Sequence, residues 1–70
     1  MRMHFSGTQL RKARRARGLT QAALAQRCGI HHDAVRNLER AHRKPSVTLL
    51  VSIATELDIT VNDLFEDASA

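Results

Sequence analysis

Apolar residues return at steps of three and four along most of the chain. Leu10, Ala13 and Ala16 form one stripe, and Leu49/Leu50, Ile53/Ala54 and Leu57 form another, the spacing of a helix face turned toward a core. No run alternates apolar and polar residues in strand fashion, so the pattern predicts an all-α chain. Each predicted helix opens on a polar N-cap. Before four of the caps stands an apolar residue that can meet another five positions on, a hydrophobic staple. The pairs are Phe5 with Leu10 around Ser6, Leu19 with Leu24 around Thr20, Ile30 with Val35 around His31, and Ile59 with Leu64 around Thr60. Ser46, after Pro45, is the fifth cap. Ser6 with Gln9 and Thr60 with Asp63 have the spacing of a capping box, in which the third helical residue bonds back to the cap's backbone. Helices are thus predicted over about 7–17, 21–28, 32–40, 47–57 and 61–66, a compact five-helix bundle. Gly18 and Gly29 supply the left-handed residue that closes the first two. Met1 and Met3 read as a flexible start, and Asp67-Ala68-Ser69-Ala70 as a fraying tail.

No linker, repeat or low-complexity tract interrupts these segments, so residues 1–70 read as one domain with an ordered core of about 6–66. A chain of 70 residues buries only about 60% of its unfolded surface. The single Cys28 cannot form an internal disulfide, and no Cys/His set has zinc spacing, so the fold must hold by packing alone. Cys28 falls at an apolar helix position and is expected to be buried and unreactive. No stretch approaches the roughly 18 consecutive apolar residues of a membrane span, and Met1-Arg2-Met3-His4 leads into no signal core. The expectation is a cytoplasmic protein with no membrane partner.

Charge changes the picture. All eleven Lys and Arg precede Pro45, against only Asp33 and Glu39, which leaves the first 45 residues at +9. The remainder carries five acids and no base. A solvated surface does not require such segregation; a polyanion facing the N-terminal part does. Nucleic acid is the obvious candidate.

The stretch Gln21 to Leu38 carries the geometry for reading it. Two helices crossing steeply after a short turn need a small residue where they touch, here Ala25, and a glycine where the chain reverses, here Gly29. They also need apolar residues facing the rest of the core: Leu24, Cys28, Ile30, Val35 and Leu38. That is a helix-turn-helix. With Leu10 to Gln21, Leu38-Glu39-Arg40, Lys44-Pro45-Ser46 and Leu57-Asp58-Ile59 running to Leu64-Phe65, the chain resembles the lambda-repressor/Cro-like, or XRE-type, transcriptional regulators over nearly all of Ser6 to Glu66. The resemblance implies double-stranded DNA as partner, a homodimer on a two-fold operator, and the third helix in the major groove. It also implies an ion pair between Arg14 and Glu39 that fixes this helix against the first.

The first turn of a recognition helix points into the groove, which nominates His32, Asp33, Arg36 and Asn37 to read bases. Asn37 can pair bidentately with adenine, Asp33 can accept from cytosine, and His32 can donate to guanine or thymine oxygens. Asp33 has a second use, since a carboxylate in the first helical turn is stabilised by the helix dipole. Arg36 reaches either a guanine or a phosphate. Gln21, at a helix N-terminus, suits a phosphate contact. Arg40, Arg43 and Lys44 before the fourth helix, and Arg11 and Arg15 on the first, are the remaining phosphate candidates. Ala41 stands where the family favours glycine. Alanine pays a steric cost in the left-handed region, so the helix is expected to run on into His42 or the loop to take another path.

Adjacent His31 and His32 raise a metal site. Neighbours on a helix point about 100° apart and the positions four on, Val35 and Arg36, are no ligands, so neither metal nor cofactor is expected. No nucleophile-base pair, paired carboxylates or phosphate-cradling glycine loop is present, and a bundle this small is not expected to hold a pocket of several hundred Å3, which argues against an enzyme. A second class stays open: a protein-interaction module such as an antitoxin, whose acidic 56–67 stretch would meet a toxin or polymerase partner.

Overall fold

The protein is described over residues 2–67 by a computed structural model. Four α-helices follow one another: α1 (Gly7–Ala16), α2 (Gln21–Cys28), α3 (His32–Glu39) and α4 (Val47–Leu57). The side chains of Ser6, Thr20 and Ser46 each accept from the backbone N–H three residues on, and His31 accepts through Nδ1 from Asp33 N–H at 3.1 Å. Caps placed at these positions are what begin the helices where they begin. Gly18 and Gly29 both sit at φ +68°. The core contains Leu10, Leu24, Val35, Leu38, Ile53, Leu57 and Leu64, all fully buried, and both members of each staple pair belong to it or pack against it.

The fifth helix is corrected. Val61–Leu64 is a single 3-10 turn, after which Phe65–Asp67 runs extended as strand β2 and pairs antiparallel with Met3–Phe5, strand β1. Val61 and Leu64 stand three apart, the repeat of a 3-10 turn, whose i and i+3 side chains eclipse. Thr60 and Asp63 form the full capping box around it. The turn stops because Phe65 adopts φ −115°, ψ 154°, which sets its ring edge-on to Phe5 at 6.3 Å. Ser6 ties the two termini: its N–H donates to the Leu64 carbonyl at 2.8 Å and its hydroxyl donates to Glu66 Oε1 at 2.7 Å. The box expected between Ser6 and Gln9 does not close, because the Ser6 N–H is taken by Leu64. Met3 and Asp67, expected to be loose, are the outer pair of this ribbon. Met1 and 68–70 lie outside the described residues.

The 40–46 loop is also corrected. Helix α3 stops at Glu39 rather than running on, and Ala41 itself takes the left-handed conformation at φ 60°, with no glycine present. The left-handed region costs an L-residue about 1–2 kcal/mol. Ala41→Gly is therefore expected to stabilise the domain by about 1 kcal/mol, raising Tm by about 4–8 °C in a thermal melt.

Candidate nucleic-acid interface

Helix α3 is two-faced. Val35, Leu38 and Glu39 are buried, while His32, Asp33 and Arg36 are exposed and Asn37 is half-buried. Three of the four residues nominated for base reading thus share the exposed face of a helix whose inward face is anchored in the core, and Asn37 is half-buried beside them. Arg36 lies one turn from Asp33, its guanidinium 3.7 Å from the carboxylate. Arg40, Arg43 and Lys44 are exposed in the loop beyond the end of α3.

The anchor is polar as well as apolar. Glu39, its side chain wholly buried, accepts from Arg14 Nε at 2.6 Å through one oxygen and from Arg14 at 3.1 Å through the other. Arg14 also donates to the Leu19 carbonyl at 2.7 Å. Gln21 Nε2 donates to Glu39 Oε1 at 3.1 Å, and Arg11 Nε stands 3.5 Å from the same oxygen. One carboxylate therefore binds α1 and α2 to the end of α3, and Arg14 ties in the turn between α1 and α2 through the Leu19 carbonyl. Burial raises the Glu39 carboxyl's pKa, but the hydrogen bonds from Arg14 and Gln21 and the charges of Arg14 and Arg11 outweigh it, and the group is held below the ordinary carboxylate range. Gln21 and Arg11, nominated for phosphate, face this carboxylate; Arg15 is exposed on α1.

Two features escaped the sequence. Gly7 lies at the N-terminus of α1 directly against the end of α3, where an added Cβ would collide with the carbonyl oxygens of Leu38 and Glu39. Nothing in the local pattern marks a glycine as an interhelical contact. Arg17 reaches across to the end of α4, donating to the Leu57 carbonyl at 2.9 Å and to Asp58 at 2.8 Å. Helix α4 has no base in its own last turn, so the charge that complements its dipole comes from elsewhere in the chain. The expectation that no sizeable pocket exists is overturned as well: an open cleft of about 440 Å3 is lined by Phe5 and Phe65 of the ribbon, Arg43, Lys44 and Pro45 of the loop before α4, and Leu50 of α4. It arises from the ribbon, which no periodicity announced. Cys28 is half-buried against the core, and burial pushes its thiol up, with a Ser52 hydrogen bond opposing and Glu56 adding to the rise.

A buried scaffold presenting one short helix outward from a helix-turn-helix defines a class of protein. A helix-turn-helix family model matches residues 10–64, and the chain belongs to this family, the XRE or lambda-repressor-like transcriptional regulators. It is 35% identical over 66 residues to the HTH-type transcriptional regulator PrpR of Mycobacterium tuberculosis, a match covering 94% of this chain and 14% of that protein. The chain thus spans about one seventh of that relative's length. Among solved structures it is similar to the restriction-modification controller protein C.AhdI from Aeromonas hydrophila, with 39% identity, TM-score 0.80, and 84% of this chain and 89% of the other covered. It is also similar to SinR, a master regulator for biofilm formation, in complex with DNA, with 25% identity, TM-score 0.78, and 83% and 94% covered. No helix among the described residues is long and apolar enough to cross a membrane.

Proposed function

We propose that the domain binds double-stranded DNA sequence-specifically as a homodimer and acts as a repressor or autoregulator. The observation that carries this reading is α3 itself, whose His32, Asp33 and Arg36 face outward from a rigid, ion-paired mount, with the basic loop residues Arg40, Arg43 and Lys44 following. In this reading α3 enters the major groove, and His32, Asp33, Arg36 and Asn37 meet base edges. Arg15, Arg40, Arg43 and Lys44 contact phosphates, joined by Arg11 and by the second amide hydrogen of Gln21. The engagement of Gln21 and Arg11 with Glu39 sets their direction before DNA arrives, so less side-chain entropy is lost on binding. Val47 and Val51, one turn apart on α4 and respectively 77% and 51% exposed, supply apolar surface for a second copy. A DNA-binding regulator of this kind works in the cytoplasm, and the domain needs no catalytic group.

Selection of bound duplex from a random pool tests the reading. A two-fold consensus with half-sites about 34 Å apart is expected; recovery of unrelated sequences contradicts specificity. On the selected duplex, the four cations Arg15, Arg40, Arg43 and Lys44 of each subunit predict a log-log salt slope of about −7, Arg11 being already paired with Glu39 and Gln21 uncharged. Replacing His32, Asp33 and Asn37 together with alanine is expected to abolish discrimination between this duplex and random DNA while leaving the slope nearly unchanged, measured by fluorescence anisotropy across salt.

A further inference from the structure

The 100° separation that argues against a metal at His31 and His32 holds only between residues inside a helix. His31 is the N-cap of α3, with extended φ −75° and ψ 148°. A capping side chain must fold over the first turn to reach the N2 or N3 amide, and here the target is Asp33 N–H. Capping by an imidazole therefore brings a ring nitrogen beside the side chain of residue 33. The His32 ring stacks on that of His31 with centroids 4.3 Å apart.

The result is three ligand atoms in one place. His31 Nδ1 lies 3.5 Å from one Asp33 oxygen, and His32 Nε2 lies 3.4 Å from the other; one ligand atom from each residue falls within a 4.8 Å group. A tetrahedral Zn2+ ion about 2.0–2.1 Å from its ligands sets them about 3.4 Å apart; the two His–Asp separations, each to a different carboxylate oxygen, match this, and the wider spacing of the group, up to 4.8 Å, closes by rotation of these exposed side chains. We propose that His31, His32 and Asp33 form a Zn2+ site at the leading tip of α3, with the remaining position open to water. Two imidazoles and a carboxylate are a donor set that zinc accepts.

Because Nδ1 accepts the Asp33 amide hydrogen, the neutral His31 ring carries its proton on Nε2, and this tautomer offers the same Nδ1 lone pair to a metal. Metal and cap compete for that pair, so binding the ion uncaps α3. The helix N-terminus and Arg36, 3.7 Å from the Asp33 carboxylate, oppose a cation; the carboxylate offsets the first, and Arg36, half exposed, can swing into solvent. No other element supplies an ionic partner to this cluster among the described residues. Where the DNA-binding reading above also holds, an occupied site withdraws His32 and Asp33 from base edges.

The test is titration of the metal-free protein with Zn2+ by calorimetry, with no DNA present, so its outcome is independent of the DNA-binding reading. One ion per chain is expected, released by a chelator, with a shift of the Asp33 amide resonance as the cap opens. His32→Ala and His31→Ser are each expected to weaken binding by more than about tenfold; His31→Ser keeps a capping hydroxyl and so keeps the fold, which circular dichroism checks. Binding that is absent from the wild-type chain, or that persists undiminished in both variants because it resides at Cys28 or another histidine, overturns the site.

Discussion

Glu39→Ala is expected to destabilise the domain by about 3–5 kcal/mol, because it leaves the Arg14 guanidinium buried without its counter-charge. Arg14 is only 7% exposed, so water cannot replace the lost carboxylate. A net stability of about 0.05–0.15 kcal/mol per residue gives a domain of this length roughly 4–10 kcal/mol in total. The single change therefore removes a large share of it, and urea denaturation followed by circular dichroism should show the midpoint collapse. Glu39→Gln, which keeps the shape and some hydrogen bonding, should lose less. A drop below about 1 kcal/mol in Glu39→Ala would mean that the pair is solvated rather than buried.

The same carboxylate predicts an acid limb. Its pKa is lowered from the ordinary value of 4.5, so the native state binds the proton more weakly than the unfolded chain does. The stability it contributes is present above pH 4.5 and is lost as pH falls through the lowered value. Chemical denaturation midpoints measured from pH 6 downward should fall in wild type, and this part of the fall should be missing in Glu39→Gln.

Gly7→Ala is expected to destabilise by about 1–3 kcal/mol, the range for forcing an extra carbon into a packed site. The obstruction is backbone on the partner side, the Leu38 and Glu39 carbonyls, and no rotamer change can relieve it. Helix α1 would have to move away from the end of α3, the junction that Arg14 and Glu39 also span. The substitution thus tests mounting as well as stability: beyond the lower urea midpoint, affinity for the selected duplex should fall at temperatures where the variant is still folded, while Gly18→Ala, whose added Cβ meets nothing within 4 Å, should act through its backbone conformation alone.

Local signals explain why the helices were legible. A cap, a staple and a closing glycine all act within six residues, so Thr20 and Gly29 enclose α2 at Gln21–Cys28 and Ser46 opens α4 at Val47, independent of the rest of the chain. The ribbon was not legible for the opposite reason. Met3–Phe5 and Phe65–Asp67 are too short to show alternation and are stabilised by each other across the whole chain. Ala41 misled for a related reason: its left-handed conformation is unfavourable locally and is held because α3 and α4 are both fixed by the core.

The candidate site divides in the same way. Side-chain chemistry nominated His32, Asp33, Arg36 and Asn37, since the outward face of an amphipathic helix follows from its period. What they are mounted on did not follow. The convergence of Arg11, Arg14 and Gln21 on one Glu39 carboxylate, the contact of Gly7 with the end of α3 and the reach of Arg17 to α4 are meetings between residues far apart in sequence. The sequence by itself determined where helices begin and end, which face each buries and where positive charge gathers, because caps, periodicity and charge are properties of neighbouring residues. Only the tertiary structure decided how α3 is held and which side chains already have partners, because those depend on distances that no local pattern encodes.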